Sequence, residues 1–108
     1  MIEKCITNNE GTYWYRNDFL HRDDGPAIIT SDGGEFWYAY GLRHRKNGPA
    51  AKYKDGDRYW YEHGQLHRDD GPAVDLVNGY KEWWLQGRPY TEEEFILLQF
   101  SKGIITNE

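Results

Sequence analysis

"LHRDDGPA" occupies Leu20–Ala27 and returns letter for letter at Leu66–Ala73, with a blurred copy, "RHRKNGPA", at Arg43–Ala50 between them. The interval is 23 residues, and the rest of the chain keeps it. Trp14, Trp37, Trp60 and Trp83 fall on this period, as do Tyr15, Tyr38 and Tyr61 with Trp84 in the fourth place, and Gly33, Gly56 and Gly79. Eight columns are identical in all three full units starting at Trp14. Self-similarity at a fixed period of this length marks a repeat architecture, in which each unit is unstable alone and stacks on its neighbours.

Turn chemistry gives the content of one unit. Asp32-Gly33, Asp55-Gly56 and Asn78-Gly79 are dipeptides that suit a two-residue type I′ hairpin, whose central residues both need positive φ. They predict strands Ala27–Ser31 with Gly34–Ala39, Ala50–Lys54 with Asp57–Glu62, and Ala73–Val77 with Tyr80–Leu85, while Lys4–Asn8 pairs with Gly11–Arg16. In that register Cys5, Ile28, Ala51 and Val74 lie opposite Trp14, Trp37, Trp60 and Trp83, so the Trp face reads as core. Gly41, Gly64 and Gly87 mark a second break, after which the His-Arg-x-x-Gly-Pro-Ala phrase carries the chain to the next hairpin.

The period stops near Tyr90. Thr91-Glu92-Glu93-Glu94 has the form of a capping box with acidic residues suited to a helix N-terminus, and Phe95, Leu98 and Ile96 or Leu97 supply an apolar face. The expectation is a single all-β domain over 1–108: an extended antiparallel hairpin-repeat sheet of about eight strands with a C-terminal capping helix. Its parts are an N-terminal cap hairpin at 1–13, repeats at 14–90, the helix at 91–102 and a tail at 103–108.

Composition narrows the function classes. Thirteen Lys and Arg against eighteen Asp and Glu leave a formal charge of −5, which provides no footprint for phosphate backbones or anionic lipid. Neither nucleic acid nor a membrane is expected as a partner, and no segment reaches the ~18 apolar residues of a spanning helix. Cys5 is the single cysteine. With no disulfide and no apolar run after Met1-Ile2-Glu3-Lys4, a cytoplasmic location is expected. Aromatic residues make up 17% of the chain, so rings must supply much of the core.

The spacing and turn chemistry over Lys4–Gln86 resemble MORN-type repeats, which are also 23 residues long. The wording "WYxxGxLHRxxGPAxxxxDG" with a closing "TEEEF" is similar to a divergent MORN-like set found in bacteriophages and large viruses. It uses Arg-x-x-Gly-Pro-Ala where the ordinary repeat has Gly-x-Gly. The resemblance implies a hairpin-repeat sheet that binds or scaffolds, and it implies no catalytic residues.

Two columns are candidate binding residues. Arg22, Arg45 and Arg68 form a ladder able to grip carboxylates or phosphates, though satisfying loop carbonyls and carboxylates is the stronger reading. Tyr15, Tyr38, Tyr61 and Trp84 form either a second packed layer or an exposed stripe that anchors a partner. His21, His44 and His67 would stand about 10 Å apart, too far to share a metal, and no nucleophile motif or phosphate loop is present. No catalytic residue, metal or cofactor is expected. The leading expectation is a non-catalytic protein-binding module whose partner is a host factor, one of defence included, with a homodimer as a further option. The alternative is a small-ligand sequestering protein that holds a nucleotide-like molecule between the Tyr rings and the Arg column.

Overall fold

Each 23-residue unit folds as two hairpins that share one strand. In the first, β1 (Glu3–Asn8) pairs with β2 (Gly11–Arg16), and the end of β2 turns back at Asn17-Asp18 to pair with β3 (Phe19–Leu20). The pattern then repeats through β4 (Ile28–Thr30), β5 (Glu35–Phe36), β6 (Tyr38–Ala39) and β7 (Leu42–Arg43). The next unit contributes β8 (Ala51–Lys52), β9 (Arg58–Tyr59), β10 (Tyr61–Glu62) and β11 (Gln65–Leu66). Last come β12 (Val74–Asp75), β13 (Lys81–Leu85), β14 (Arg88–Tyr90) and the helix α1 (Glu92–Ser101). This is a computed structural model, and it describes residues 2–105. The chain is all-β apart from the C-terminal helix. Its main antiparallel sheet runs β1-β2-β4-β5-β8-β9-β12-β13-β14 with β3 beside β2, and β6–β7 and β10–β11 form two short ladders. The last three residues of the expected tail lie outside the described residues.

The two-residue chemistry expected at the first turn of a unit is found instead at the second. At the first, Gly33 N–H donates to Thr30 O and Thr30 N–H donates to Gly34 O, both at 2.9 Å, enclosing a three-residue loop, Ser31–Gly33. Gly33, Gly56 and Gly79 have φ of +99°, +102° and +95°. Asp32, Asp55 and Asn78 before them do not enter the left-handed region. Their side chains accept the backbone N–H two residues on, at Gly34, Asp57 and Tyr80, which holds them in the turn conformation that precedes a left-handed glycine. The two-residue turns with positive φ at both central positions are Asn17-Asp18, Tyr40-Gly41, His63-Gly64 and Gln86-Gly87.

The extra loop residue corrects the expected register by one in all three repeated hairpins. Ile28 faces Phe36, Ala51 faces Tyr59 and Val74 faces Glu82, whereas Cys5 does face Trp14. A one-residue slip moves side chains to the other face. One face therefore carries Ile6, Tyr13, Ile28, Phe36, Ala51, Tyr59 and Val74 in a row, and the Trp-bearing face carries Glu35, Lys52, Arg58, Asp75 and Lys81. The core comprises Phe36, Ala51 and Val74, the alanines Ala27, Ala50 and Ala73 of the repeated phrase, and Phe95. Cys5 is exposed, contrary to its expected packing role, because β1 is an edge strand with all six residues exposed.

The helix follows the sequence closely. Thr91 is the N-cap, its hydroxyl accepts from Glu94 N–H and Glu94 returns a bond to Thr91 N–H. The buried side chains are Phe95 and Gln99, while Ile96 and Leu97 are exposed.

Tyr40, His63 and Gln86 hold φ near +50° without being glycine, a conformation that is strained for L-residues and that Asn tolerates best. Gln86→Asn is expected to stabilise the fold by about 0.5–1 kcal/mol, measured by urea unfolding; a destabilised variant would contradict the turn assignment.

Candidate functional site

Each letter of His-Arg-x-x-Gly-Pro-Ala has a partner. The guanidinium carbons of Arg22, Arg45 and Arg68 lie 3.9 Å from the ring centroids of Trp14, Trp37 and Trp60. The phrase's glycine covers the same guanidinium: a Cβ on Gly25, Gly48 or Gly71 would stand 3.0, 2.7 or 2.9 Å from the Arg Cζ. Arginine Nη1 donates to the following proline carbonyl at Pro26, Pro49 and Pro72, 3.1–3.2 Å away. The alanine carbonyl then accepts the N–H of the stacked Trp, at 2.8 Å for Ala27 and Trp14, 2.7 Å for Ala50 and Trp37, and 2.8 Å for Ala73 and Trp60.

The histidine joins one unit to the next. Nδ1 of His21, His44 and His67 accepts the backbone N–H of Tyr40, His63 and Gln86, the first residue of each following two-residue turn, at 2.9–3.0 Å. That bond needs an unprotonated Nδ1 and leaves the proton on Nε2. His21 Nε2 bonds Asp23 and His67 Nε2 bonds Asp69, but Lys46 takes that place in the middle unit. Burial, then His63 and Lys46, hold the His44 pKa below the ordinary imidazole value, and nearby Glu62 opposes them.

Successive loops leave three clefts along the Trp edge. The first, about 550 Å³, is lined by Trp14, Tyr15, Arg22 and Asp23. The second, about 450 Å³, is lined by Arg22, Trp37, Tyr38, Arg45 and Lys46. The third, about 570 Å³, has Arg45, Lys46, Trp60, Arg68, Asp69 and Asp70. Loop carboxylates bind the outer arginines, Asp24 on Arg22 and Asp70 on Arg68, while Asn47 occupies that column beside Arg45. Burial lowers the Arg45 pKa, against the pull of Glu35.

The Arg and Tyr columns leave the sheet on opposite sides, although Tyr15 and Tyr38 also border the first two clefts. Arg22, Arg45 and Arg68 lie on the Trp side with both guanidinium faces covered. Tyr15, Tyr38, Tyr61 and Trp84 are half-buried, and strand alternation puts them on the aromatic side. Tyr38 and Tyr61 meet there around Arg43, a residue outside both candidate columns. Its guanidinium lies 5.4 Å from the Phe36 ring, 6.0 Å from Tyr38 and 5.5 Å from Tyr61, and Nε donates to the Tyr38 hydroxyl at 3.3 Å. Tyr53 continues the cluster, edge-on to Phe36 and Tyr59. The signal was present in the sequence: Arg43 stands in a column that is otherwise Leu20 and Leu66.

A separate cluster fixes the first unit. Buried Arg16 bonds Glu3, Asp23 and the Tyr40 hydroxyl. Asp23 is thereby held below the usual carboxylate range, first by Arg16 and then by His21. Among the described residues no group of three or more His, Cys, Asp or Glu is placed to hold a metal ion, and no helix is long and apolar enough to cross a membrane. No family model matches the chain, and neither a curated protein nor a solved structure is significantly similar to it.

Two outcomes follow. Gly71→Ala, at a glycine without positive φ, should push Arg68 off Trp60 and cost about 1–3 kcal/mol, since the added Cβ would stand 2.9 Å from the Arg68 Cζ; an unchanged midpoint in denaturant unfolding would argue against the sandwich. Because the His44 pKa is lowered in the folded chain, its contribution to stability is full above the unfolded pKa of about 6.5 and is lost as pH falls below it. His44→Asn, which keeps an acceptor near Nδ1, should flatten the decline of Tm between about pH 7 and pH 5.

Proposed function

We propose that the protein is a non-catalytic binding module that engages a protein partner through the aromatic side of its sheet. The observation that carries this reading is Arg43 set among Phe36, Tyr38 and Tyr61. Interface residues that dominate binding energy are enriched in Tyr, Trp and Arg, which give large, stiff contact area with a polar tip. Tyr15, Tyr38, Tyr61 and Trp84 are half-buried, so their bodies are already fixed and little rotamer freedom remains to be lost on binding.

The likeness of the repeat wording to the phage and large-virus set supports a host-cell factor as the partner, met in the cytoplasm. Sequestration of a nucleotide-like ligand finds less support. It would need free guanidinium faces beside Tyr rings, and the faces of Arg22, Arg45 and Arg68 are taken by Trp and Gly.

Arg43→Leu is the informative substitution, because leucine is what the other two units carry at this position. Purified from a lysate of its native setting, the wild-type chain is expected to retain a specific protein that Arg43→Leu loses by about tenfold or more in affinity, with Tm unchanged or raised. Undiminished binding by the variant, or a stoichiometric phosphorylated molecule released from the wild type on heating, would overturn the reading.

A further inference from the structure

The sheet ends differently at its two edges. At one, β14 carries Pro89, which has no N–H to offer, and α1 lies against β13 and β14. At the other, β1 runs for six residues in unbroken register with β2, contains no proline, and is exposed throughout. Pro, bulges, covering helices and edge charges are devices that keep sheet edges from pairing. Among the described residues the β1 edge has none of the first three, and its charges are Glu3 and Lys4.

The direction of its free groups follows from Trp14. Trp14 donates its N–H to Ala27 O and its carbonyl accepts from His21 N–H, both on the side away from β1. Cys5, directly opposite Trp14, is therefore a non-hydrogen-bonded pair member whose N–H and C=O point to the open edge. Alternation gives Glu3 and Thr7 the same direction. Ile2 is consistent with this, since its carbonyl accepts from Asn17 N–H on the inner side. Three donors and three acceptors thus line the edge.

We propose that β1 pairs antiparallel with β1 of a second copy, across a two-fold axis normal to the sheet and centred on Cys5, so that the two sheets become one. Such an axis keeps each face on its own side and pairs residues of equal parity, so outward groups meet outward groups. Centred on Cys5, Glu3 lies opposite Thr7 of the partner subunit, and all six groups of each strand are used. Centring on Lys4 would oppose two lysines and leave Thr7 without a strand partner; centring on Ile6 would pair Glu3 with Asn9 in the partner's turn. Self-pairing also covers the exposed apolar side chains of this edge, Ile2 and Ile6, which come diagonally beside those of the partner subunit. The charges permit it. Glu3 is held by Arg16 of its own chain at 2.8 Å, and the two Lys4 side chains lie on a diagonal of about 7–8 Å, which salt screens.

The test uses the full chain with a C-terminal tag, followed by light scattering and sedimentation equilibrium across concentration and salt. A dimer is expected, tightening as salt rises. Cys5→Pro removes the central outward N–H without touching a bond to β2, and should weaken self-association by about tenfold or more while Tm stays close to that of the wild type. Should Cys5→Pro fail to fold, crosslinking decides. Mild oxidation should join Cys5 to Cys5 of the partner subunit, whose Cα atoms lie about 5.5 Å apart in this register. Thr7→Cys in a Cys5→Ser background should not crosslink. A monomer at every concentration, a dimer indifferent to Cys5→Pro, or equal crosslinking from position 7 would each overturn the proposal. The Arg43→Leu comparison reads the aromatic face independently of these results.

Discussion

The stack of an arginine between a tryptophan ring and a glycine is the contact on which the rest of this fold depends. It occurs three times, at Arg22, Arg45 and Arg68, with the same 3.9 Å separation from the ring centroid. A cation over an indole contributes about 0.5–2 kcal/mol according to its desolvation. Its larger consequence here is positional. Because the guanidinium is clamped, the proline carbonyl comes to Nη1 and the alanine carbonyl comes to the Trp N–H, which fixes where the next strand begins. The middle unit separates what is required from what is accessory. It has Lys46-Asn47 where its neighbours have Asp-Asp, so the carboxylate contacts are absent there, yet Arg45 keeps the same stack. The ion pairs, on exposed carboxylates, are secondary.

Stacking alone would make three independent staples; the histidines make them an array. Each Nδ1 bonds the N–H of a turn 19 residues further on, so a unit is completed only by its successor. The glycines of those turns reinforce the link. A Cβ on Gly41 would approach the Phe19 ring at 3.1 Å and one on Gly64 would approach Leu42 at 3.3 Å, so the backbone of each hairpin rests on the side chain of the one before. Nearest-neighbour coupling of this kind gives stability that accumulates along the chain and fails at uncapped ends.

Much of this was legible in the sequence, and the parts that were not have definite causes. The period, the hairpins and the helix from its N-cap at Thr91 are written in residues whose local chemistry decides the matter. The register was not. Asp-Gly suits a two-residue I′ turn and equally a three-residue loop with a left-handed glycine, and the choice rests on whether the Asp side chain captures the N–H two residues on. The second turn hid its type behind Tyr40, His63 and Gln86, which hold positive φ only because the flanking strands and the histidine bond impose it. A two-residue turn would set Ile28, Ala51 and Val74 beside the tryptophans, whereas the three-residue loop sets them beside Tyr13 and Tyr59. Both candidate columns could be listed from spacing, but their separation to opposite sides of the sheet, and the meeting of rings around Arg43, depend on packing that no periodicity encodes.

How the array ends shows what the loop contributes. Counting on by 23 from Arg68 leads to Thr91, and from Gly71 to Glu94, so the helix begins where a fourth arginine would have stacked on Trp83. Its capping box joins those two columns, Thr91 and Glu94, in place of the arginine and glycine that clamp the earlier units. Phe95 falls in the proline column and is 2% exposed, filling space that a further unit would have occupied. One turn later Gln99 donates to the Asp69 carbonyl at 2.9 Å, satisfying a backbone acceptor of the last loop. A loop of seven letters and a helix of ten residues thus solve one packing problem, closing the open end of a hairpin, the helix by lying against β13 and β14. The loop does so while presenting a new strand, whereas the helix presents none, and that difference is what stops the repeat.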